Sequence, residues 1–207
     1  IVSTHDIGVI KMEVTRNVGP QDDFLHKVRK LATEKGIVLI FDECTSGFRQ
    51  TFGGLHKMYG VEPDMAMFGK ALGNGYAITA TIGRREIMEA AQSTFISSTF
   101  WTERIGPTAG LKTLEVMERL QSWDQITQTG KVIATRWNDL AQKYQLPMRV
   151  FGLPSLIKFA FNSPKALMYK TLVTQEMLKR GHLAGNSVYV CTEHTPEILN
   201  GYFEALD

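Results

Sequence analysis

Apolar positions along this chain follow two periods. Ile37-Val38-Leu39-Ile40-Phe41 is an unbroken apolar run with β-branched members, closed by Asp42 and Glu43. It predicts a strand covered on both faces that delivers an acid at its C-terminal end. Upstream, Ile7-Gly8-Val9-Ile10-Lys11-Met12-Glu13-Val14 predicts another strand that ends near an acid. Between the two, a Gly19-Pro20 turn is followed by a helical stripe of Phe24, Leu25, Val28, Leu31 and Ala32, with Asp22 or Asp23 as cap and Gly36 as the stop. A strand-helix-strand unit of this size predicts a parallel pair joined by a right-handed crossover.

A glycine-rich connection over 47–60 leads to a second strand-like run, Met65-Ala66-Met67-Phe68, and then to Gly69-Lys70-Ala71-Leu72-Gly73-Asn74-Gly75. Residues 76–83 read as a further strand and 85–91 as a short helix. The stretch 94–107 is a polar and aromatic loop. Pro107 falls in the first turn of a helix through Leu120, with Ala109, Leu114, Met117 and Leu120 facing inward. The texture then changes: a long amphipathic helix over 124–144, strands over 148–151 and 156–161 around Gly152-Leu153-Pro154, a helix over 165–180 ending at Gly181, a short strand over 187–191 and a last helix over 195–206. The expected organisation is an α/β domain over 1–106 and an α+β domain over 107–207, the latter opening with a bridging helix.

Composition narrows the function classes. The 23 basic and 21 acidic residues are interspersed and leave a net charge of +2, which argues against nucleic acid or a charged membrane surface as partner. No apolar run approaches the roughly 20 residues that span a bilayer. Cys44 and Cys191 lack a CxxC partner and any ligand-like spacing to the five histidines. No disulfide framework or metal site is therefore expected, and a reducing cytoplasm fits. The histidines are expected on the surface or in loops.

The chemistry lies at one sheet edge. Asp42 and Lys70 each follow an apolar strand, and ligands of open α/β sheets bind in the crevice outside the carboxyl ends of the strands. An acid and an amine there suit pyridoxal 5′-phosphate, which needs a lysine to hold its aldehyde as a Schiff base and a carboxylate to keep its ring nitrogen protonated. An amine attacks a carbonyl only when unprotonated, a state that partial burial beside a cationic centre promotes. The bland alternatives are a solvated lysine and a turn-capping aspartate. Glu43, beside Asp42, points to the other side of an extended strand, so only one acid of the pair can face a ring.

Leu39-Ile-Phe-Asp-Glu-Cys-Thr-Ser-Gly-Phe-Arg49, Gly60-Val-Glu-Pro-Asp64 and Phe68-Gly-Lys-Ala-Leu-Gly-Asn-Gly-Tyr76 together resemble class III aminotransferases. The likeness runs from about residue 7 to the C-terminus and is nearest to the branch that includes glutamate-1-semialdehyde aminomutases. It implies the fold of the fold type I pyridoxal-phosphate-dependent transferases, represented by the C-terminal part of a mainly parallel large domain and a small domain. Members are about twice this long, and this chain, which opens at Ile1, resembles their C-terminal half, so the isolated piece is expected to be inactive. The resemblance assigns Lys70 to the cofactor aldehyde and to proton shuttling, and Asp42 to the ring nitrogen.

Other positions follow the family with departures. Cys44 stands where valine usually packs on the ring, which keeps the size and apolar character of the site. Thr102, five residues before Pro107, or else Thr99, matches a threonine that reaches the cofactor phosphate of the neighbouring subunit, which implies a homodimer with sites at its interface. Glu13 matches a Glu-Pro pair whose proline is Val14 here, and Ala77 replaces a proline after the glycine-rich turn. Glu13 and Arg49 are the candidate substrate-contacting residues. Thr45 and Ser46 offer hydroxyls or simple turn structure, and Phe100 and Trp101 suit interface packing.

The resulting expectation is an aminotransferase that moves an amino group from a small-molecule donor to a carbonyl acceptor. An intramolecular 2,1-aminomutase shares every motif named, and the Phe100-Trp101-Thr102-Glu103-Arg104 stretch tips the choice toward transamination. A non-catalytic binding or assembly module is the alternative of another class. Loss of Lys70 or Asp42 would be its signature, and both are present.

Overall fold

A computed structural model describes residues 5–100 and 102–207, so that Trp101 lies outside the described residues. The chain divides into two units, one through Gln121 and one from Ser122 to Asp207. In the first, strands β1 (Val9–Met12), β2 (Val38–Asp42), β3 (Met65–Phe68) and β4 (Ala80–Gly83) form one sheet in the order β1-β2-β3-β4. The first three are parallel and β4 runs antiparallel to β3. Residues paired in a parallel ladder share a face of the sheet. Leu39, Phe41, Ala66 and Phe68 are buried on one face, while Val38, Ile40, Met65 and Met67 on the other are half-buried.

Helix α1 (Phe24–Lys35) packs on β2 and buries Leu25 and Ala32. It stops at Gly36, whose φ of +63° is the left-handed conformation that glycine adopts without steric cost, and whose N–H closes on the Ala32 and Thr33 carbonyls. The expected aspartate cap is absent. Asp22 and Asp23 both take left-handed φ, neither side chain caps the helix, and Asp23 instead pairs with His26 at 2.8 Å.

Asp64 ties this unit together from its interior. Its carboxylate accepts the Leu39 N–H at 2.8 Å and meets Arg29 of α1 at 2.8 Å and Arg84 at 3.1 Å. Its backbone bonds Leu39 on one side and Arg84 on the other. Burial pushes the Asp64 carboxyl up, but the Leu39 N–H and the two guanidiniums outweigh it and hold the group below the usual carboxylate range.

The strand expected over 76–83 begins only at Ala80. Asn74 (φ +45°) and Gly75 (φ +103°) turn the chain sharply first, and Gly73 sits so close to the Tyr76 carbonyl that a side chain there would strike it. After β4 come a short helix α2 (Arg85–Met88), a 3-10 turn (Glu89–Ser93) and helix α3 (Ile105–Leu120). Helix α3 rests on Ile78 through Gly106 and Gly110, and its Leu114 joins the Ala66, Phe68 and Leu72 cluster. It thus belongs to the first unit, so the expected boundary at 106/107 shifts to 121/122. Leu120 is exposed rather than inward, at the last turn where α3 leaves that cluster.

The second unit is a three-stranded antiparallel sheet, β5 (Met148–Phe151), β6 (Leu156–Phe161) and β7 (Ser187–Tyr189), with helices α4 (Ser122–Lys143), α5 (Ala166–Lys179) and α6 (Pro196–Leu206). Its core gathers Ile126, Ile133, Trp137, Ile157, Phe159, Val190, Leu199 and Phe203. Trp137 meets Phe159 edge-on at 4.9 Å, and its Nε1–H donates to the Tyr202 hydroxyl at 3.0 Å. That satisfies the one polar atom of a buried indole. Thr195 caps α6 by accepting the Ile198 N–H, and Pro196 opens the first turn, where its missing N–H costs nothing. Among the described residues no helix is long and apolar enough to cross a membrane.

Candidate active site

Strand β2 ends at Asp42, and the chain turns immediately through Cys44, Thr45 and Ser46. The turn is packed from behind. The Gly47 N–H closes on the Glu43 carbonyl at 2.8 Å, and a Cβ on Gly47 would lie 2.7 Å from the Phe68 ring, so only glycine fits.

Strand alternation sends the two acids opposite ways. Asp42 stays partly open to solvent, whereas Glu43 is fully buried. Glu43 accepts from the Ser46 hydroxyl, from the His56 N–H at 3.0 Å and from His56 Nδ1 at 2.9 Å. Burial alone would raise the Glu43 carboxyl, but these hydrogen bonds outweigh it and hold the carboxyl low. His56 is consequently a buried brace and not the surface or loop residue expected. Gly54 is what admits it, because a side chain there would run into the imidazole and into Glu43.

The Asp42 carboxylate is held by Lys11 and by the backbone N–H and thiol of Cys44. Lys11 of β1 sits 3.0 Å from Oδ2, and the Cys44 N–H donates to Oδ1 at 3.1 Å. The Lys11 ammonium, against a smaller opposing effect of burial, keeps the Asp42 carboxyl below its ordinary range, so it is ionised at neutral pH.

Lys70 begins the 3-10 turn Lys70–Leu72, just beyond β3, with a φ of +45°. Left-handed backbone at a lysine costs about 1 kcal/mol or more and tends to accumulate at functional sites. The N–H groups of Gly73 and Asn74 both close on the Lys70 carbonyl, at 3.2 and 3.1 Å, and hold that shape. The Lys70 amine donates to the Thr45 hydroxyl at 3.0 Å. The partial burial expected for Lys70 is not found: the residue is exposed.

Cys44 is half-buried between the two groups. Burial and the Asp42 carboxylate push its thiol up, while the Lys70 and Lys11 ammoniums pull it down. Acid, thiol, hydroxyl and amine therefore share one turn and its edge. A carboxylate kept charged, an exposed amine within reach of one hydroxyl and a small soft side chain between them form a donor set that fits the ring nitrogen, aldehyde and ring face of pyridoxal 5′-phosphate.

The other sequence candidates lie around this cluster. Arg49 Nε donates to the Thr45 carbonyl at 3.2 Å, which supports the turn from its far end. Glu13, just past β1, pairs loosely with Arg16 at 3.9 Å. Thr99 and Thr102 are exposed in turns ahead of α3, and among the described residues neither is hydrogen-bonded to Lys70 or Asp42. The start of α3 is capped by Glu103, which accepts the N–H of Ile105 and, at 3.1 Å, that of Gly106. No cluster of three His, Cys, Asp or Glu able to hold a metal occurs among the described residues.

Comparison with known proteins places this arrangement. A 3-aminobutyryl-CoA aminotransferase of Cloacimonas acidaminovorans is 35% identical over 193 residues, covering 90% of this chain and 47% of that protein. A glutamate-1-semialdehyde 2,1-aminomutase of Methanococcoides burtonii is 34% identical over 185 residues, covering 86% of this chain and 43% of that protein. The chain spans about half the length of the curated relatives it matches. In fold it is similar to the PLP internal aldimine form of the FumI protein of Sphingopyxis sp. MTA144, with a TM-score of 0.89 and 22% identity over 97% of this chain and 50% of that one. It is likewise similar to a β-phenylalanine aminotransferase of Variovorax paradoxus, with a TM-score of 0.83 and 22% identity over 99% of this chain and 53% of that one. The model of the aminotransferase class-III family matches residues 17–200, and the chain belongs to that family.

Proposed function

We propose that the full-length protein is a pyridoxal 5′-phosphate-dependent aminotransferase, moving an amino group from a small amine or amino acid to a carbonyl acceptor. The observation that carries this reading is the meeting of Asp42 and Lys70 on the Cys44-Thr45 turn at the carboxyl edge of parallel strands. When bound, the cofactor supplies an electrophilic aldehyde and an electron-accepting ring. Asp42 holds a fixed negative charge for the ring nitrogen, and Cys44 packs beside the ring. Lys70 would hold the aldehyde through its amine and, once the substrate's amine has displaced it, the freed amine would carry the proton from the substrate's α-carbon. Thr45 orients that amine.

Glu13 and Arg49 meet the charged ends of the substrate in this proposal. Thr102, or Thr99 in its place, reaches the phosphate held by the neighbouring subunit of a homodimer. The exposed Phe95 and Phe100 in the same loop support a covered, interfacial position for it. The compartment is the cytoplasm, a reading supported by two free cysteines.

Borohydride reduction of the full-length protein with cofactor, followed by peptide mapping, tests the core of the proposal. The expected result is a pyridoxyl adduct on the peptide that contains Lys70. Folded protein that takes no label overturns the reading in favour of a non-catalytic module. A second reading, the 2,1-aminomutase, is favoured by the aminomutases among the relatives. Incubation with single donors separates the two, because an aminotransferase releases a keto product from the donor alone and a mutase isomerises one substrate without a donor.

A further inference from the structure

Lys11 is the one charged residue within β1, in the run Val9-Ile10-Lys11-Met12. The register Lys11↔Ile40 and Met12↔Phe41 puts Lys11 on the same sheet face as Ile40, and hence as Asp42 two residues further on. Its paired neighbours on that face are Ile40 and Met65, both apolar, and among the described residues its ion-pair partner is the Asp42 carboxylate, diagonally across the ladder. The lysine is about half exposed and Asp42 about a quarter exposed. The β1–β2 ladder already joins the two strands. An exposed ion pair adds little to that, so stabilising the sheet does not account for the lysine.

We propose that Lys11 tunes the cofactor site: its ammonium occupies one oxygen of Asp42, keeps the carboxylate aimed while the site is empty, and obliges the cofactor's ring nitrogen to share that carboxylate with a second cation. The proposal rests on the cofactor reading above. Each carboxylate oxygen offers about two acceptor positions. With Lys11 on Oδ2, the Cys44 N–H on Oδ1 and the Cys44 thiol also donating to the carboxylate, about one acceptor position remains for a ring N–H. Two consequences follow. The carboxylate is a weaker base than an unpaired aspartate, and a protonated ring nitrogen meets a like charge beside its partner. Lys11 thus weakens cofactor retention and ring protonation relative to a site without it. The charged groups that bear on the cluster are Lys11 from β1 and Lys70 from the turn after β3, and of these it is Lys11 that hydrogen-bonds the Asp42 carboxylate.

Two measurements on the full-length protein test this, with Lys11→Met as a variant of similar length and Lys11→Arg as the conservative control. In cofactor-free protein carrying carboxyl-labelled aspartate, with Asp42→Asn used to assign the signal, carbon-detected NMR should show the Asp42 titration midpoint moving up in Lys11→Met and staying low in Lys11→Arg. In equilibrium titration with pyridoxal 5′-phosphate followed by absorbance, Lys11→Met should bind on the order of tenfold more tightly, as removal of one like charge implies, and Lys11→Arg should match the parent. Unchanged or weaker binding in Lys11→Met overturns the proposal, as does an unmoved Asp42 midpoint. If neither parent nor variant binds the cofactor although both are folded, the cofactor reading falls and this proposal with it. The aspartate titration then still reports the ion pair, so the two failures are told apart.

Discussion

The two units stabilise themselves by different means. The first buries two carboxylates and an imidazole: Glu43, Asp64 and His56 all lie beneath its surface, and each is satisfied by named partners. The second buries rings and aliphatic side chains around Trp137, and its buried polar residues are two serines. The charged interior belongs to the unit that carries Asp42 and Lys70. Glu43 and His56 grip the turn from which Cys44 and Thr45 reach those groups, so a buried carboxylate and its hydrogen bonds hold a site in shape. Buried charges are an expensive way to gain stability, because removing charges from water costs several kcal/mol before any pairing is counted. The second unit bears no such constraint and packs as an ordinary antiparallel α+β layer.

This contrast can be broken most severely at Trp137. Trp137→Ala should remove about 3–5 kcal/mol from the second unit, the usual cost of deleting a buried large aromatic. Urea unfolding monitored by hydrogen exchange, segment by segment, should show protection lost over 122–207 first.

Acid should produce the reverse order. Glu43 and Asp64 are both held below their ordinary range in the folded chain. Their contribution is therefore present above the unfolded carboxylate range and is lost as pH falls through the lower folded values, that is, below about pH 4. Hydrogen exchange at falling pH should show the first unit opening while the second retains protection. Glu43→Gln should reduce stability at neutral pH, by about 1–3 kcal/mol as expected for a disturbed buried hydrogen-bond network, and should flatten the acid transition. A second unit that opens first would overturn the contrast.

The smallest effect is expected at the surface of the second unit. Lys143 bonds Asp207 at 2.6 Å, but the pair is exposed to solvent. Lys143→Met should leave the melting temperature almost unchanged at moderate salt.

Much of the fold was legible from periodicity. The run 37–41 and the stop at Gly36 were readable because apolar alternation and left-handed glycine are local facts of the backbone. Asp42 and Lys70 were readable for the same reason, each lying at the end of a short apolar strand. Their meeting on one turn follows from two parallel strands side by side. The antiparallel entry of β4 was less visible, since the tight turn through Asn74 and Gly75 consumes residues that pattern alone assigns to the strand.

What lay outside local pattern was the pairing of side chains across the chain. Glu43 and His56 stand thirteen residues apart, and Gly54 gains its meaning only once the imidazole is beside it. The available signal was a glycine two residues before a histidine, too common to read. Lys11 and Asp42 meet through a register between strands. Helix α3 went to the first unit because Gly106 and Gly110 allow it to approach Ile78, a fit that an apolar stripe does not announce. The sequence alone determined where most strands and helices form and that an acid and an amine each follow an apolar strand, because backbone propensity and burial act over a few neighbours. The tertiary structure decided which acid faces solvent with Lys11, which is buried with His56, and which hydroxyl meets Lys70, because hydrogen bonds and ion pairs depend on distances that only the packed chain sets.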